Sequence, residues 1–476
     1  MAALQLRQTP MNSNAVFDPD LLRRYDRPGP RYTSYPTALQ FRPSFGPDDF
    51  LAAAAASNAA TAPKPLSLYV HVPFCASPCF YCGCNKVITR DVRKSELYLE
   101  RLTREIELAG EAFRRSRPVG QLHLGGGTPT FLSTAQLDGL LATLGRHFSL
   151  LESDDREFSI EIDPRTVDAA GVAALASLGF NRVSLGVQDF DARVQLAVNR
   201  VQSPDHTLRL IDAARRAGIQ SVSVDLIYGL PLQTVASFAR TLELILTVRP
   251  DRLAVYSYAH LPHLFKPQRQ IKREQLPSAA DKLALLGLTV ERLTDAGYVY
   301  IGMDHFALPD DELVRAGRDG RLHRNFQGYS TRAECDLVGL GVSSISKIGE
   351  TYSQNAKSLD RYYRALDAGR LATERGLRLG TEDALRHEVI HALMCESGVD
   401  FAAIDHAHGI HFEKHFTAEL AAMAPLVDDG LVTLGGRTLK VTQRGRLLMR
   451  SVAMIFDAYL AAPEPPDAPP RFSSSV

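Results

Sequence analysis

The chain has 476 residues, 45% hydrophobic and 23% charged, which excludes wholesale disorder. Its 54 Lys and Arg balance its 54 Asp and Glu, so no global basic field argues for nucleic acid or an anionic membrane as partner. No apolar run reaches the ~18 residues needed to cross a bilayer, and the N-terminus lacks the pattern of a secretion signal, so the expected location is the cytoplasm.

The first 50 residues read as a loop-like N-terminal segment. Prolines 28, 30 and 36 in PGPRYTSYPTA (28–38) forbid a regular helix there. A short Ala-rich helix is expected over 51–60, ending before Pro63 and Pro65. From residue 66 short apolar runs alternate with helical patterns. The runs are LSLYVHV (66–72), QLHLGGG (121–127), FSIEID (158–163), RVSLGVQDF (182–190), SVSVDLIYGL (221–230) and RLAVYSYAHL (252–261). Six such units with right-handed crossovers predict an α/β fold, a partial (βα)6 TIM-like barrel over 51–360. Polar residues and glycines gather where the runs end: His71, Gly125 to Gly127, Glu161, Asp163, Gln188, Asp225 and His260. That places an active site at the C-terminal face of the strands. Ordinary turn chemistry is the plain alternative for any one of them.

From about 360 the pattern turns helical. Helices, a two-stranded hairpin and a last helix predict a mainly α, winged-helix-like domain over 361–462. Its helices mix acidic with basic residues, which favours a packing or lid role over DNA reading. The Pro- and Ser-rich tail, 463–476, is expected to be disordered.

Four of the six cysteines lie between 75 and 84; Cys335 and Cys395 stand alone. A disulfide framework would spread its cysteines along a small secreted chain. Four thiols in one short loop point instead to a metal or cluster site. In HVPFCASPCFYCGCNK (71–86) the spacing is Cys75, three residues, Cys79, two residues, Cys82. Thiolates at short spacings wrap iron–sulfur clusters. Three ligands on a cubane leave one iron open to the amine and carboxylate of a small molecule. Zinc prefers two paired knuckles or a closed Cys/His set, and no second knuckle follows. A redox pair of Cys79 and Cys82 is the third reading. Cys84 is spare, either near an open site or simply packed.

A CxxxCxxC loop after a strand resembles the radical S-adenosylmethionine (SAM) enzymes. PGPRYTSYPTA, LSLYVHVPFC, CGCNK, LHLGGGTPT, SIEIDPR, GVQDF, DLIYGLP, YAHLP, IGMDHFA and LHRNFQGY together resemble the oxygen-independent coproporphyrinogen III oxidases, from about 20 to 460. The CGC extension and RYTSYP set the chain apart from the heme-chaperone-like members of the superfamily, the alternative function.

The resemblance implies a [4Fe-4S] cluster on Cys75, Cys79 and Cys82 and two SAM molecules. The first would meet Tyr69, Gly126, Glu161 and Ile345. The second would meet Tyr81, Gly127, Thr128, Gln188, Arg200, Asp225 and Ala259; other members can carry Phe at position 81. It implies radical cleavage of SAM and oxidative decarboxylation of two propionates of coproporphyrinogen III to vinyl groups, giving protoporphyrinogen IX. An external low-potential electron donor is required, and a monomer is the default.

Read as residues, the glycines admit a ligand close to backbone amides, or form a tight turn. Asp225 could be a satisfied buried acid, Arg200 a solvated helix residue, and Gln188 with Asp189 a helix cap. A substrate with four carboxylates needs local positive charge. Arg31 and Arg324, with His305 beside them, are expected to meet propionates through bidentate forks, unless the arginines are ordinary surface residues. The N-terminal segment is expected to cover the open barrel.

Overall fold

The computed structural model describes residues 15–460 and Phe472. Residues 1–14 and, Phe472 aside, the tail expected to be disordered lie outside the described residues.

Six parallel strands form the centre: β1 (Leu66–Val72), β2 (Pro118–Gly126), β3 (Glu157–Ile162), β4 (Arg182–Gln188), β5 (Ser221–Tyr228) and β6 (Arg252–Ser257). They lie side by side in chain order. These are the six apolar runs, each trimmed at its end where the chain leaves the sheet. In β1 only Tyr69 is not fully buried, as a strand covered on both faces requires.

The principal helices that follow the six strands in turn are α1 (Arg93–Ala112), α2 (Thr134–His147), α3 (Ala169–Ser177), α4 (Pro204–Arg216), α5 (Val235–Val248) and α6 (Ala279–Asp295). Five begin at a side-chain cap: Ser133, Asp168, Ser203, Thr234 and Ser278 each accept an amide hydrogen bond in the first turn. Tyr98, Leu102, Ile106 and Ala109 of α1 form the buried stripe of an amphipathic helix.

The sheet extends beyond six strands on both sides. Of strands β7 (Val299–Gly302) and β8 (His305–Ala307), β8 adds antiparallel to β6 and β7 adds antiparallel to β8. On the other side β9 (Asp336–Leu340) runs parallel to β1, with Gly339 opposite Tyr69. Then β10 (Ile345–Ile348), β11 (Thr351–Asn355) and β12 (Thr373–Arg378) follow antiparallel. The result is an open barrel-like sheet with edges at β7 and β12. The added strands are short and rich in Gly, Ser and charged residues, so their sequences carry little strand pattern.

The first 50 residues are less loop-like than expected. A helix, Pro19–Tyr25, starts at the Asp18 cap. The Ala-rich helix begins earlier than expected, at Pro47, and runs to Ala59. Leu21, Leu22, Tyr32 and Tyr35 share one hydrophobic cluster with Leu385, Val389, Phe412, Phe416 and Phe456 of the C-terminal region. There α7 (Thr381–Glu396) stops at Ser397, whose φ of 58° is left-handed. Gly398–Asp400 then joins the hairpin of Val432–Gly435 and Thr438–Val441 as a third strand, where a two-stranded wing was expected. Among the described residues no helix is long and apolar enough to cross a membrane.

Candidate active site

The cysteine loop leaves the C-terminal end of β1. Phe74 and Cys75 pair with Val87 and Ile88, and the Thr89 amide donates to the Cys75 carbonyl at 2.9 Å, closing its base. Gly127 seats that base: its amide donates to the Val72 carbonyl at 2.8 Å, and an added Cβ would lie 2.7 Å from the Pro73 carbonyl carbon.

Each sulfur of the CxxxCxxC trio accepts a hydrogen bond. Thr128 Oγ1 donates to Cys75 at 3.4 Å. Arg200 Nη1 and Arg165 Nη2 donate to Cys79 at 3.4 and 3.5 Å. The Cys84 amide donates to Cys82 at 3.4 Å. Burial pushes the Cys75 thiol up to about 11. A hydrogen bond from Cys84, aided by the Lys86 ammonium against the cost of burial, holds Cys82 near 5. Three thiols on one loop, each met by a donor, fit the thiolate ligands of an iron–sulfur cluster. Among the described residues no three His, Cys, Asp or Glu side chains are grouped to hold a single metal ion.

Beside the loop lies a polar recess. Gly126 has φ +116°, and an added Cβ would sit 2.6 Å from the His71 imidazole. Its amide donates to Glu161 Oε2 at 3.0 Å, and His123 Nε2 lies 3.2 Å from Glu161 Oε1. Tyr69 stacks on His123 with ring centroids 5.8 Å apart, and its hydroxyl meets His71 Nδ1 at 3.0 Å. The recess raises the Glu161 carboxyl, but the His123 and Gly126 bonds outweigh it and hold the group below its usual range. The Glu161 side chain keeps 43% of its surface open. It is a carboxylate with room to meet an ammonium. Tyr69, Gly126 and Glu161 thus come together. Ile345 lies on β10, its carbonyl against Gly339, which pairs with Tyr69.

The second set lines the neighbouring wall. Arg200 is buried, not solvated. Besides Cys79 it reaches Asp163 Oδ2 at 3.1 Å and the Gly186 carbonyl, and its buried Nε finds no partner among the described residues. Gln188, at φ +69°, brings its amide so close to Gly186 that a Cβ there would lie 2.8 Å away. Asp225 accepts from Ser184 Oγ at 3.3 Å; burial, and then the Glu161 charge, push it up to about 7. Gln268 Nε2 donates to the carbonyls of Tyr81 and Ala259 at 3.0 and 3.1 Å, tying those two together. Asp189 is structural: it accepts from Thr241, Gln233 and the Asp191 amide.

Near the end of β6, Arg31 is ion-paired with Asp304 and lies over the Tyr256 ring at 5.6 Å. Its carbonyl accepts from Arg324 Nε at 3.1 Å. Arg324, 5% exposed, covers the Tyr329 ring at 4.7 Å, so it is no surface residue. His305 packs edge-on against Tyr256 and Tyr329. Burial and then the positive charge of Arg324 and Arg31 hold His305 well below its usual pKa. Arg324 Nη1 and His305 Nδ1 are buried without a partner among the described residues, so each has hydrogen-bonding capacity that the described residues do not use. Buried Arg450 adds to the field that, after burial and Arg324, lowers Arg31 to about 10.

Sequence reasoning passed over His123, Arg165, Asp304 and Arg450. His123 had a signal: it stands two residues before Gly125 on the same strand face. Asp304 and Arg450 meet Arg31 only through tertiary packing.

A family model described as the Radical SAM superfamily matches residues 69–245, and one described as the HemN C-terminal domain matches 379–448. The chain is 52% identical over 444 residues to the oxygen-independent coproporphyrinogen III oxidase of Pseudomonas aeruginosa, spanning 93% of this chain and 96% of the relative. To that of Escherichia coli it is 48% identical, with the same spans. Among solved structures it is similar to coproporphyrinogen III oxidase (HemN) from Escherichia coli, a radical SAM enzyme. The TM-score is 0.88 and the identity 46%, covering 94% of this chain and all of that one.

Proposed function

The chain belongs to the oxygen-independent coproporphyrinogen III oxidases, and we infer from this that it decarboxylates two propionates of coproporphyrinogen III oxidatively to vinyl groups, yielding protoporphyrinogen IX. The relatives' name supports this over a heme-chaperone-like role. When bound, the [4Fe-4S] cluster and SAM supply the one-electron chemistry that makes a 5′-deoxyadenosyl radical.

The chain's own residues hold and orient. Cys75, Cys79 and Cys82 ligate the cluster; the donors on all three sulfurs support this and are the observation that carries the reading. Glu161 receives the SAM ammonium, with Gly126 and Tyr69 shaping the recess and Ile345 at its far edge. Tyr81, Gly127, Thr128, Gln188, Arg200, Asp225 and Ala259 surround a second SAM; the orphaned Arg200 Nε supports this. Arg31, Arg324 and His305 hold substrate propionates, supported by the two unpartnered buried nitrogens. The N-terminal segment covers the chamber through Arg31. The protein acts as a cytoplasmic monomer and draws electrons from an external low-potential donor. Anaerobic turnover with SAM, dithionite and coproporphyrinogen III tests the whole: 5′-deoxyadenosine and the divinyl product should appear together.

A further inference from the structure

We propose that the segment 261–276, seated against the cluster loop, is the docking surface for a small acidic one-electron carrier protein; this rests on the reading that an external donor serves the cluster. The segment follows β6 and folds as two tight turns, Lys266–Gln270 and Arg273–Gln275. It is fixed from below. Gln268, 2% exposed, bonds to Tyr81 and Ala259. Ile271 enters a small core with Val194, Val198, Leu230 and Tyr258. The Phe265 ring lies on Gly83, where an added Cβ would be 3.1 Å away. Gly83 is the residue between Cys82 and Cys84, so one aromatic ring joins the segment directly to the cluster loop.

The outward side has a different chemistry. Lys266, Arg269, Lys272 and Arg273 are exposed, and Glu274 is the single carboxylate in the segment. Among the described residues none of these four cations makes an ion pair, whereas exposed arginines elsewhere do, such as Arg93 with Asp91 and Arg364 with Asp360. Two apolar side chains stand among them: Leu264 is 53% exposed and Leu232 38%. Leu232 is held there by its amide, which donates to the Gln275 carbonyl at 2.8 Å. Apolar anchors with a charged rim are the make-up of a protein interface. Unneutralised positive charge on a chain that is neutral overall selects an acidic partner and speeds its encounter. The step served moves one electron. A flavin hydroquinone on the carrier becomes the semiquinone, the oxidised cluster gains the electron, and no bond forms or breaks in this chain.

The test uses the reconstituted holoenzyme and an acidic flavodoxin as probe. Binding is measured by calorimetry at two salt concentrations, and cluster reduction by anaerobic stopped flow. The variant K266E/R269E/K272E/R273E should bind flavodoxin about tenfold more weakly or worse and lose the salt dependence. The exchange K266R/R269K/K272R/R273K should bind like the native protein. Both should match the native protein in dithionite-driven SAM cleavage and in KM for coproporphyrinogen III. Equal flavodoxin binding by native and charge-reversed protein overturns the proposal. So does a raised porphyrinogen KM under dithionite, which would assign the cations to substrate entry. Equal affinity for a DNA duplex, the mark of an unspecific basic face, also overturns it. Failure of the oxidase function itself would show differently, as no 5′-deoxyadenosine from native enzyme with dithionite.

Discussion

Arg200 donates to the Cys79 sulfur across 3.4 Å. The same nitrogen reaches Asp163, so the guanidinium clamps one corner of the cysteine loop to the end of β3. Hydrogen bonds to cluster sulfurs raise reduction potentials by offsetting negative charge. Arg200→Met should therefore load its cluster but reduce it at a more negative potential. A charge-assisted hydrogen bond contributes about 1.5 kcal/mol or more, which is roughly 60 mV for one electron. A redox titration followed by electron paramagnetic resonance reads this; an unmoved potential would refute the clamp.

Gly126 has no room for a side chain. Its φ of +116° and the His71 ring 2.6 Å from an added Cβ act together in Gly126→Ala. Expected is a loss of about 2–3 kcal/mol, seen as a lower Tm, and loss of SAM affinity in calorimetry. A variant with native Tm and native SAM binding would contradict the geometry.

Asp225 should tie SAM binding to pH. Burial and the Glu161 charge raise it to about 7, so between its ordinary range and pH 7 the folded protein holds a proton that the unfolded chain has released. Its contribution to stability is then highest near pH 4, falls as pH rises to about 7 and is flat above. A sulfonium placed beside it favours the charged form and expels the proton. Calorimetry near pH 7 in two buffers of different ionisation heat should show proton release on SAM binding, absent in Asp225→Asn. Equal heats in both buffers for the native protein would exclude the linkage.

Arg31→Ala leaves Asp304 without its ion-pair partner and should remove one proposed propionate contact. KM for coproporphyrinogen III should rise roughly 10- to 100-fold, the effect of losing a charge-assisted bond, while SAM cleavage without substrate persists. An unchanged KM would move the substrate elsewhere.

Deleting residues 1–38 removes Arg31 with Tyr32 and Tyr35, which belong to the C-terminal hydrophobic cluster. Decarboxylation should vanish while the iron and sulfide content stays that of the native protein. Full activity of the truncated chain would end the covering role of the segment.

The parallel strands were legible because buried parallel strands are nearly continuous apolar runs; 66–72 and β1 coincide. The spacing drew attention to the thiol trio, and its expected role as a cluster site came from the family resemblance. Strands β9 to β12 were not, since sequences such as Asp336–Leu340 take strand form only through pairing with β1. The ion-pair partner of Arg31 escaped for a related reason: Asp304 lies hundreds of residues along the chain, and no local pattern records that distance. Gln268 looks like one more polar loop residue until its side chain is seen bridging Tyr81 and Ala259.

The hydroxyl of Tyr32 donates to Asp457 at 3.0 Å, and Tyr32 shares one buried cluster with Phe456, so the N-terminal and C-terminal regions meet there. On the ribosome the six strands of the barrel emerge with β6, but Asp457 follows about 200 residues later, roughly 10–40 s at ordinary rates of translation. The cysteine loop is thus synthesised well before the C-terminal residues against which Tyr32 packs.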